Sequence, residues 1–329
     1  MGRLKELDSL RGIACISVLL FHYTTKYSEI FNTSLTTRLF NFKYGGLGVD
    51  LFFIISGFVI FLTVKKNTKP VEFVYKRFSR LYPTFWVCVL LTFFLVRNSE
   101  LIMYHRSFSE LIVNLTMIPD VFGVKRVDGV YWSLLPELMF YFLMFCLLLF
   151  KRIKYIDLVC FIWLLAISFN SYWDIMPLRV LLNLTFGHLF IIGICFYKIK
   201  NKEARWWNHL LIFGSFITSM IISELSYKHV FLLLFIVVFY MFVYDKLKWI
   251  KLKPLIVLGE ISYALYLIHQ FVGYIIINEL ISNGVHNNIM LLLIPSIITV
   301  ALSYGVTFYI EKPMQVFLRN TWSKYHKYK

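Results

Sequence analysis

Long apolar runs separated by short polar stretches make up most of the chain. About 18 mainly apolar residues suffice for a helix to cross roughly 30 Å of hydrocarbon. Ten runs approach or exceed that length, at residues 11–28, 46–64, 78–97, 130–150, 153–173, 178–198, 207–225, 229–245, 254–280 and 287–310. The pattern therefore predicts an all-α integral membrane protein built as a bundle of about ten transmembrane helices.

The longest interruption covers residues 98–129 and contains the sequence FSELIVNLTMI. Its apolar residues recur at helical spacing between polar ones, which is typical of a helix that lies along the membrane interface. No soluble domain fits between the predicted spans, and no internal repeat of about 20–50 residues is visible. We therefore expect residues 1–329 to form a single membrane domain.

Charge changes this picture in one respect. The net charge of +16 would suggest a nucleic-acid partner in a soluble protein, but only 16% of the residues are charged and 59% are hydrophobic. Lysine and arginine fall mainly on alternate loops, with 25 of 34 on one side. These 25 lie at the N-terminus (Arg3, Lys5 and Arg11), in 65–80, 151–154, 198–205 and 246–253, and from Lys312 onward. The positive-inside rule then places both termini in the cytoplasm and removes the argument for nucleic acid.

Cysteine and histidine spacing favours neither disulfides nor a metal. All five cysteines fall within predicted spans, and the chain contains no CxxC pair. The histidines are scattered, without an HExxH or equivalent spacing. We expect no metal site.

The first span carries the most informative polar residues. It reads LDSLRGIACISVLLFHY over residues 7–23, with Arg11 near its start and His22 near its end. On one helix these two residues would be about 20° apart around the axis and about 16 Å apart along it. Asp8 would share their face and could pair with Arg11. The alternative is that Arg11 only anchors the helix and His22 is a hydrogen-bonded core histidine.

Two carboxylates fall in the outer halves of predicted spans, where an ionisable group is a functional candidate. Glu137, beside Trp132, could orient an acceptor or assist proton transfer; alternatively, it could be protonated or paired with Arg179. Asp50 could support His22, or could cap the start of its own helix.

Three further positions complete the candidate set. Arg77 and Arg80 lie one turn apart at the predicted cytoplasmic entrance of the third span, where guanidinium groups suit phosphate oxygens, although snorkelling anchors would look the same. Ser56 is expected to permit close helix packing and not to act as a nucleophile, since no GxSxG motif surrounds it. His269 could belong to the site, but its setting is also typical of a hydrogen-bonded core histidine.

Several segments together resemble the acyltransferase 3 family of ten-helix membrane acyltransferases. The first is the pair Arg11 and His22, separated by ten positions, and the others follow in order along the chain. They are GGLGVDLFFIISGFVI at 45–60, FVYKRFSRLYPTF at 73–85, YWSLLPELMFY at 131–141, LGEISYALYLIHQ at 258–270 and YIEKP at 309–313.

The resemblance implies transfer of an acetyl group from cytoplasmic acetyl-CoA, or of another short acyl group from its CoA thioester. The acceptor would be a hydroxyl of an envelope glycan such as O-antigen, capsule or exopolysaccharide, at a bacterial cytoplasmic membrane. His22 would be the general base, with Asp50 or Glu137 orienting its ring or stabilising its charge. Arg11, Arg77 and Arg80 would hold the donor phosphates.

Other functional classes share the span count. A multi-span transporter or flippase of a glycan or lipid-linked sugar would favour inverted repeats or glycine- and proline-broken helices in matching halves, which the sequence lacks. A glycan polymerase would favour a large acceptor loop or an acidic metal motif. A structural or sensing membrane protein would not need this set of polar residues.

Overall fold

The computed structural model describes residues 4–32, 41–65 and 69–326, and every regular element in these ranges is helical. The α-helices are α1 Lys5–Phe21, α2 Tyr27–Phe31, α3 Gly48–Lys65, α4 Pro70–Arg97, α5 Phe108–Asn114, α6 Leu134–Leu149, α7 Ile156–Trp173, α8 Met176–Leu181, α9 Gly187–Lys200, α10 Trp206–Ile222, α11 Tyr227–Val243, α12 Lys253–Ser282, α13 Asn288–Val306 and α14 Lys312–His326. The all-α prediction is confirmed for this part of the chain.

Within the described residues, six helical segments are long and apolar enough to cross a membrane. They are Lys43–Lys65, Pro70–Arg97, Gly129–Leu149, Ile153–Trp173, Lys253–Ser282 and Asn288–Lys324. The apolar helices α10 and α11 are shorter. The chain is thus an integral membrane protein by helix length and composition, while the count of ten spans and the cytoplasmic termini stay predictions. Among the basic residues behind the orientation, Arg3, Lys66, Lys327 and Lys329 lie outside the described residues.

Helix α7 shows why these helices need a lipid environment. Its side chains at Leu158, Phe161, Ile162 and Leu165 are each more than half exposed. A soluble protein rarely leaves so continuous an apolar face in water, whereas hydrocarbon solvates it without cost.

The predicted span at 178–198 is wrong as a single helix, because the chain breaks between α8 and α9. Asn183 at the break adopts a left-handed φ of 49°. The Trp163 indole N–H donates to the Leu182 carbonyl at 2.7 Å, and the Asn183 amide donates to the Pro136 carbonyl at 3.0 Å. These side-chain bonds lower the cost of breaking the helix, and a hydropathy pattern does not register them.

Two other predicted spans differ from the observed helices in detail. Helix α1 begins at Lys5, six residues before the predicted span at 11–28, and gives way within that span to a π-helical turn, His22–Lys26. The span at 287–310 continues through a second π-helical turn, Thr307–Glu311, into α14. In the 98–129 segment, α5 is only seven residues long, and a capping box between Ser107 and Glu110 begins it.

The chain divides into two compact units that interleave along the sequence. Unit 1 comprises Met1–Arg11, Leu47–Val74 and Pro136–Ile256, and unit 2 comprises Gly12–Gly46, Tyr75–Leu135 and Val257–Lys329.

Unit 1 contains a close crossing of α3 and α9. A Cβ atom added to Gly57 would lie 2.3 Å from the Phe190 carbonyl oxygen, and one added to Gly193 would lie 2.1 Å from the Ile54 carbonyl oxygen. Backbones can approach this closely only where both helices present glycine. The crossing supports the prediction that Gly57 serves close helix packing.

Unit 1 also contains a polar cluster around Asp157 at the start of α7. The carboxylate receives hydrogen bonds from the Lys198 ammonium at 2.6 Å, the Trp207 indole at 2.9 Å and the Asn208 amide at 2.9 Å. The cluster therefore ties α7 to the end of α9 and the start of α10.

Candidate functional site

Two histidines of unit 2 form a hydrogen-bonded pair. His269 Nε2 lies 3.0 Å from His22 Nδ1, and the ring centroids are 4.8 Å apart with nearly perpendicular planes. His269 lies in α12 and is only 1% exposed, whereas His22 begins the π-helical turn after α1 and is half-buried. His269 is therefore the buried member of the pair, and His22 is the more accessible one.

The surrounding carbonyls decide which ring nitrogens carry hydrogen. His269 Nδ1 lies 2.9 Å from the Tyr266 carbonyl oxygen and 3.1 Å from that of Leu265, so it donates to the backbone. In a neutral ring, Nε2 of His269 then accepts. His22 Nδ1 faces this acceptor and the Val18 carbonyl oxygen at 2.9 Å, so it must be a donor. We assign the hydrogen of neutral His22 to Nδ1 on this network, which leaves the lone pair on Nε2.

Tyr23, the residue after His22, holds the same stretch of α12. Its hydroxyl donates to the His269 carbonyl oxygen at 2.8 Å and lies 3.2 Å from the Thr299 hydroxyl of α13. The Tyr23 ring crosses α12 at Gly273, where an added Cβ would lie 2.2 Å from a ring carbon. Gly273 thus lets Tyr23 hold the His269 backbone beside His22.

Two more side chains hydrogen-bond to the α12 backbone around His269. The Tyr131 hydroxyl donates to the Leu267 carbonyl oxygen at 3.2 Å, and the Phe271 N–H donates to Asp128 Oδ2 at 3.2 Å. These are the two backbone groups that an α-helix would pair with each other. Burial raises the pKa of Asp128 to about 7, although N–H bonds from Val130 and Phe271 oppose the shift. The segment carrying His269 is therefore positioned by hydrogen bonds from outside α12.

The predicted phosphate-binding arginines belong to the same unit as the histidine pair. Arg77 and Arg80 lie in α4, three residues apart, and both are half-buried. The next residue, Leu81, accepts a hydrogen bond from the Tyr263 hydroxyl at 3.2 Å. Tyr263 precedes His269 by six residues, or about 9 Å of helix. Unit 2 thus holds the two arginines on α4 and His269 on α12, and these two helices contact each other directly.

The predicted carboxylates lie in unit 1. Glu137 is in the first turn of α6, where it accepts hydrogen bonds from the Ser56 hydroxyl at 2.8 Å and from the Tyr141 hydroxyl. Arg179, considered above as its partner, instead pairs with Asp174 at 2.6 Å. Asp50 is in the first turn of α3, past the N-cap position, where a negative charge complements the helix dipole.

The remaining candidates are divided between the units. Asp8 and Arg11 lie in α1 within unit 1, and Trp132 lies in unit 2, in the 3₁₀ turn Gly129–Ser133 that precedes α6. Across residues 4–32, 41–65 and 69–326, no group of three or more histidine, cysteine, aspartate or glutamate side chains could hold a metal ion.

Comparison with known proteins identifies the family. The sequence profile of a family described as an acyltransferase domain, acyltransferase 3, matches residues 4–308. The chain belongs to the acyltransferase 3 family. This match confirms the resemblance drawn from the motifs, and the names of the relatives below support an acyltransferase.

Three relatives illustrate the range within acyltransferase 3. ORF330 of Acidianus two-tailed virus, provisionally named an acetyltransferase, is 25% identical over 80% of this chain and 82% of its own length. The O-acetyltransferase OatA of Staphylococcus aureus strain NCTC 8325 / PS 47 is 29% identical over 43% of this chain and 24% of its own length. The exopolysaccharide production protein ExoZ of Rhizobium meliloti is 40% identical over 14% of this chain and 15% of its own length. This chain therefore spans about a quarter of OatA, and no solved structure matches it significantly.

The residues that position the histidine pair are not among the candidates that the sequence predicts. Tyr23, Asp128 and Tyr131 each bond to the α12 backbone within two residues of His269. Asp128 gave a usable signal, because it is an acid at the edge of a predicted span and precedes a glycine. Tyr23 and Tyr131 gave none, since aromatic residues are common where membrane helices meet water.

Proposed function

We propose that this acyltransferase 3 protein transfers an acetyl group from cytoplasmic acetyl-CoA to a hydroxyl of an envelope glycan at a bacterial cytoplasmic membrane. The proposal rests on one observation above all, the His22–His269 pair, which leaves a lone pair on a half-buried imidazole. The family supports acetyl transfer, and the rhizobial relative named for exopolysaccharide production supports a glycan acceptor.

In the proposed reaction, His22 Nε2 takes the proton of the acceptor hydroxyl as its oxygen attacks the thioester carbonyl carbon. The new C–O bond forms and the C–S bond breaks. The proton on Nε2 then passes to the departing thiolate, giving CoA as the free thiol. The overall products are the acetylated hydroxyl and CoA, with no metal required.

In this mechanism His269 orients the His22 ring, a role that the sequence predicts for Asp50 or Glu137. The Nδ1–H of His22 is held by His269 Nε2, so the base keeps the tautomer that exposes Nε2. When Nε2 gains a proton, the Nδ1–H bond becomes charge-assisted and strengthens. The parts that Asp50 and Glu137 play stay predictions, as does the donor contact of Arg11.

We expect His269→Phe to lower kcat by roughly 10- to 100-fold, because the His22 ring loses the acceptor that fixes its tautomer. His269→Gln should retain most activity, since its side-chain oxygen can take the place of Nε2 as acceptor. The pH–rate profile separates this role from a structural one: the acidic limb of the wild type should report the coupled pair and that of His269→Gln a single imidazole. Equal loss in both variants with unchanged profiles would contradict the assignment.

The donor phosphates are proposed to bind Arg77 and Arg80 of unit 2. Arg77→Ala should raise KM for acetyl-CoA by roughly tenfold or more while leaving KM for the acceptor unchanged, because a charge-assisted contact is lost. Acetyl-pantetheine, which lacks the nucleotide phosphates, should be used equally well by the wild type and the variant. Arg152→Ala removes an exposed arginine of unit 1 and serves as the matched control. A rise in KM for both donors would rule out a phosphate contact.

The direct test of the function uses membranes from cells that express the protein, supplied with labelled acetyl-CoA. NMR of the extracted glycans should show a new O-acetyl group that is missing from empty-vector cells. Movement of a glycan across the membrane without acetyl incorporation would favour the transporter alternative instead.

The predicted topology can be tested separately. We propose about ten spans with both termini in the cytoplasm, because lysine and arginine concentrate on one set of loops. Reporter fusions at either end should report the cytoplasm, and single exposed cysteines placed in the 98–129 segment should react with reagents added outside the cell.

A further inference from the structure

Unit 2 contains a cavity of about 440 Å³, lined by both charged and apolar residues, that the proposed reaction leaves unassigned. Its charged and aromatic lining residues are Tyr104, Arg106, Asp120, Lys125, Arg126 and Phe271. Its volume falls in the range of about 300–1,000 Å³ that is typical of small-molecule sites. We propose that this cavity binds the acceptor glycan through an acidic sugar, one that carries a carboxylate or a phosphate. The inference rests on the proposed function and specifies its substrate class.

The walls of the cavity are held in place before any ligand binds. The fully buried Asn114 donates to the Lys125 carbonyl oxygen at 3.0 Å and accepts from the Val127 N–H at 2.9 Å. Two guanidinium nitrogens of Arg126 pair with the two carboxylate oxygens of Asp120, at 2.8 and 2.9 Å. A preformed cavity binds without an ordering cost, so its residues can select a ligand by charge and shape.

The charge of the cavity favours an anion. The Asp120 carboxylate neutralises Arg126, but Arg106 donates to the backbone carbonyls of Arg126 and His105. Neither Arg106 nor Lys125 forms an ion pair with a carboxylate among the described residues. Glu110 acts on both electrostatically, yet its side chain is committed to the Ser107 cap. Three basic side chains and one carboxylate line the cavity, so its lining carries a net positive charge.

Aromatic rings provide the other half of the recognition. Tyr104 and Phe271 pack with their ring centroids 4.5 Å apart at the cavity wall. Sugar rings combine apolar C–H faces with hydroxyl edges, so a wall of rings beside cationic and backbone polar groups suits an acidic sugar better than an acyl chain.

The cavity and the proposed base adjoin the same turn of α12. Phe271 follows His269 by two residues, about 3 Å along the helix axis and about 200° around it, so the two side chains lie on different faces of α12. Lys26, one turn after His22, acts electrostatically on both His22 and Tyr104. The acceptor would therefore have to extend from the cavity around α12, so that sugar units beyond the anchored one reach the histidine pair.

The test measures binding in the absence of any acetyl donor, so it can succeed or fail independently of acetyl transfer. The full chain in phosphatidylcholine nanodiscs is titrated at low salt with a galacturonic acid trisaccharide and with the matching galactose trisaccharide. We expect the acidic sugar to bind roughly tenfold more tightly, and the difference to shrink as salt is raised.

Lys125→Ala is the informative variant. Lys125 is exposed and its side chain makes no hydrogen bond among the described residues, so its removal should not destabilise the fold. It should weaken binding of the acidic trisaccharide roughly three- to tenfold and leave the neutral one unchanged. Lys248→Ala removes an equally exposed lysine from unit 1 and should change neither affinity.

Equal binding of the two trisaccharides, or no effect of Lys125→Ala, would overturn the proposal. Nanodiscs that contain phosphatidylglycerol form the third arm. If this lipid displaces the acidic sugar in the wild type but not in Lys125→Ala, the cavity binds a lipid headgroup and the proposal is wrong. If the acidic sugar binds as expected but no acetyl transfer is found in any glycan, the proposed function fails while the binding site stands.

Discussion

His22→Ala should lower acetyl incorporation into glycans by roughly 10²- to 10⁴-fold, to the level of empty-vector membranes. This is the usual contribution of a positioned general base. The variant removes Nε2, the nitrogen that the network with Val18 and His269 leaves without hydrogen. The measurement is the initial rate of transfer from labelled acetyl-CoA in membranes that contain equal amounts of each protein.

His22→Asn separates the chemistry from the packing. Its amide N–H can replace Nδ1–H as donor to Val18 and His269, but it offers no basic nitrogen. We therefore expect a stable protein that is as inactive as His22→Ala. His209→Ala is the matched control, since His209 is exposed and bonds to Tyr240 within unit 1. Substantial activity in His22→Asn would show that another group is the base.

Asp157→Leu should destabilise the protein by about 3 kcal/mol, near the lower end for breaking a buried ion pair. The lower end applies because the Asp157 side chain keeps 28% exposure, whereas that of Lys198 keeps only 10%. Loss of the carboxylate leaves the Lys198 ammonium and the Trp207 and Asn208 donors without their acceptor. Unfolding titrations of the purified protein in mixed micelles measure the difference.

The double variant Asp157→Leu with Lys198→Met tests this explanation. An apolar pair leaves no uncompensated charge, so it should recover most of the lost stability. Asp174→Ala is the control, because the Asp174–Arg179 pair is exposed and should contribute less than about 1 kcal/mol. If the double variant is no more stable than Asp157→Leu, the loss comes from packing and not from the unpaired charge.

The fold class follows from hydropathy for a physical reason. Within the hydrocarbon thickness of a bilayer, every backbone N–H and C=O group needs a hydrogen-bond partner inside the protein, and the outer surface must be apolar. That requirement produced the all-helical prediction and located long helices such as α3, α4 and α12 to within a few residues of 46–64, 78–97 and 254–280, apart from an extra two turns at the start of α4. It failed where a few specific hydrogen bonds outweigh the pattern. The break at Asn183 depends on Trp163 and Pro136, which are far away in sequence.

The candidate site could be predicted only as a set of residues. The sequence makes His22 and His269 candidates because ionisable groups in membrane spans are costly, and Arg77 and Arg80 candidates because guanidinium groups suit phosphate oxygens. Their pairing was not predicted, since an acid was expected to orient His22 and His269 was interpreted mainly as a core residue. Charge complementarity favours a carboxylate beside a histidine, but the contact itself depends on the register of α12 against α1.

The motifs and the apolar runs are local properties of the chain. The sequence alone therefore predicts the family, the helical class and His22 as a candidate site residue. Three other features depend on the tertiary structure. They are the His269 ring that holds His22, the tautomer that leaves the lone pair on His22 Nε2, and the charged cavity that Phe271 helps to line. Each depends on groups that are more than 100 residues apart in sequence, such as His22 and His269 or Asp128 and Phe271. Hydrogen bonds require donor and acceptor within about 3 Å, and only helix packing in three dimensions sets such distances.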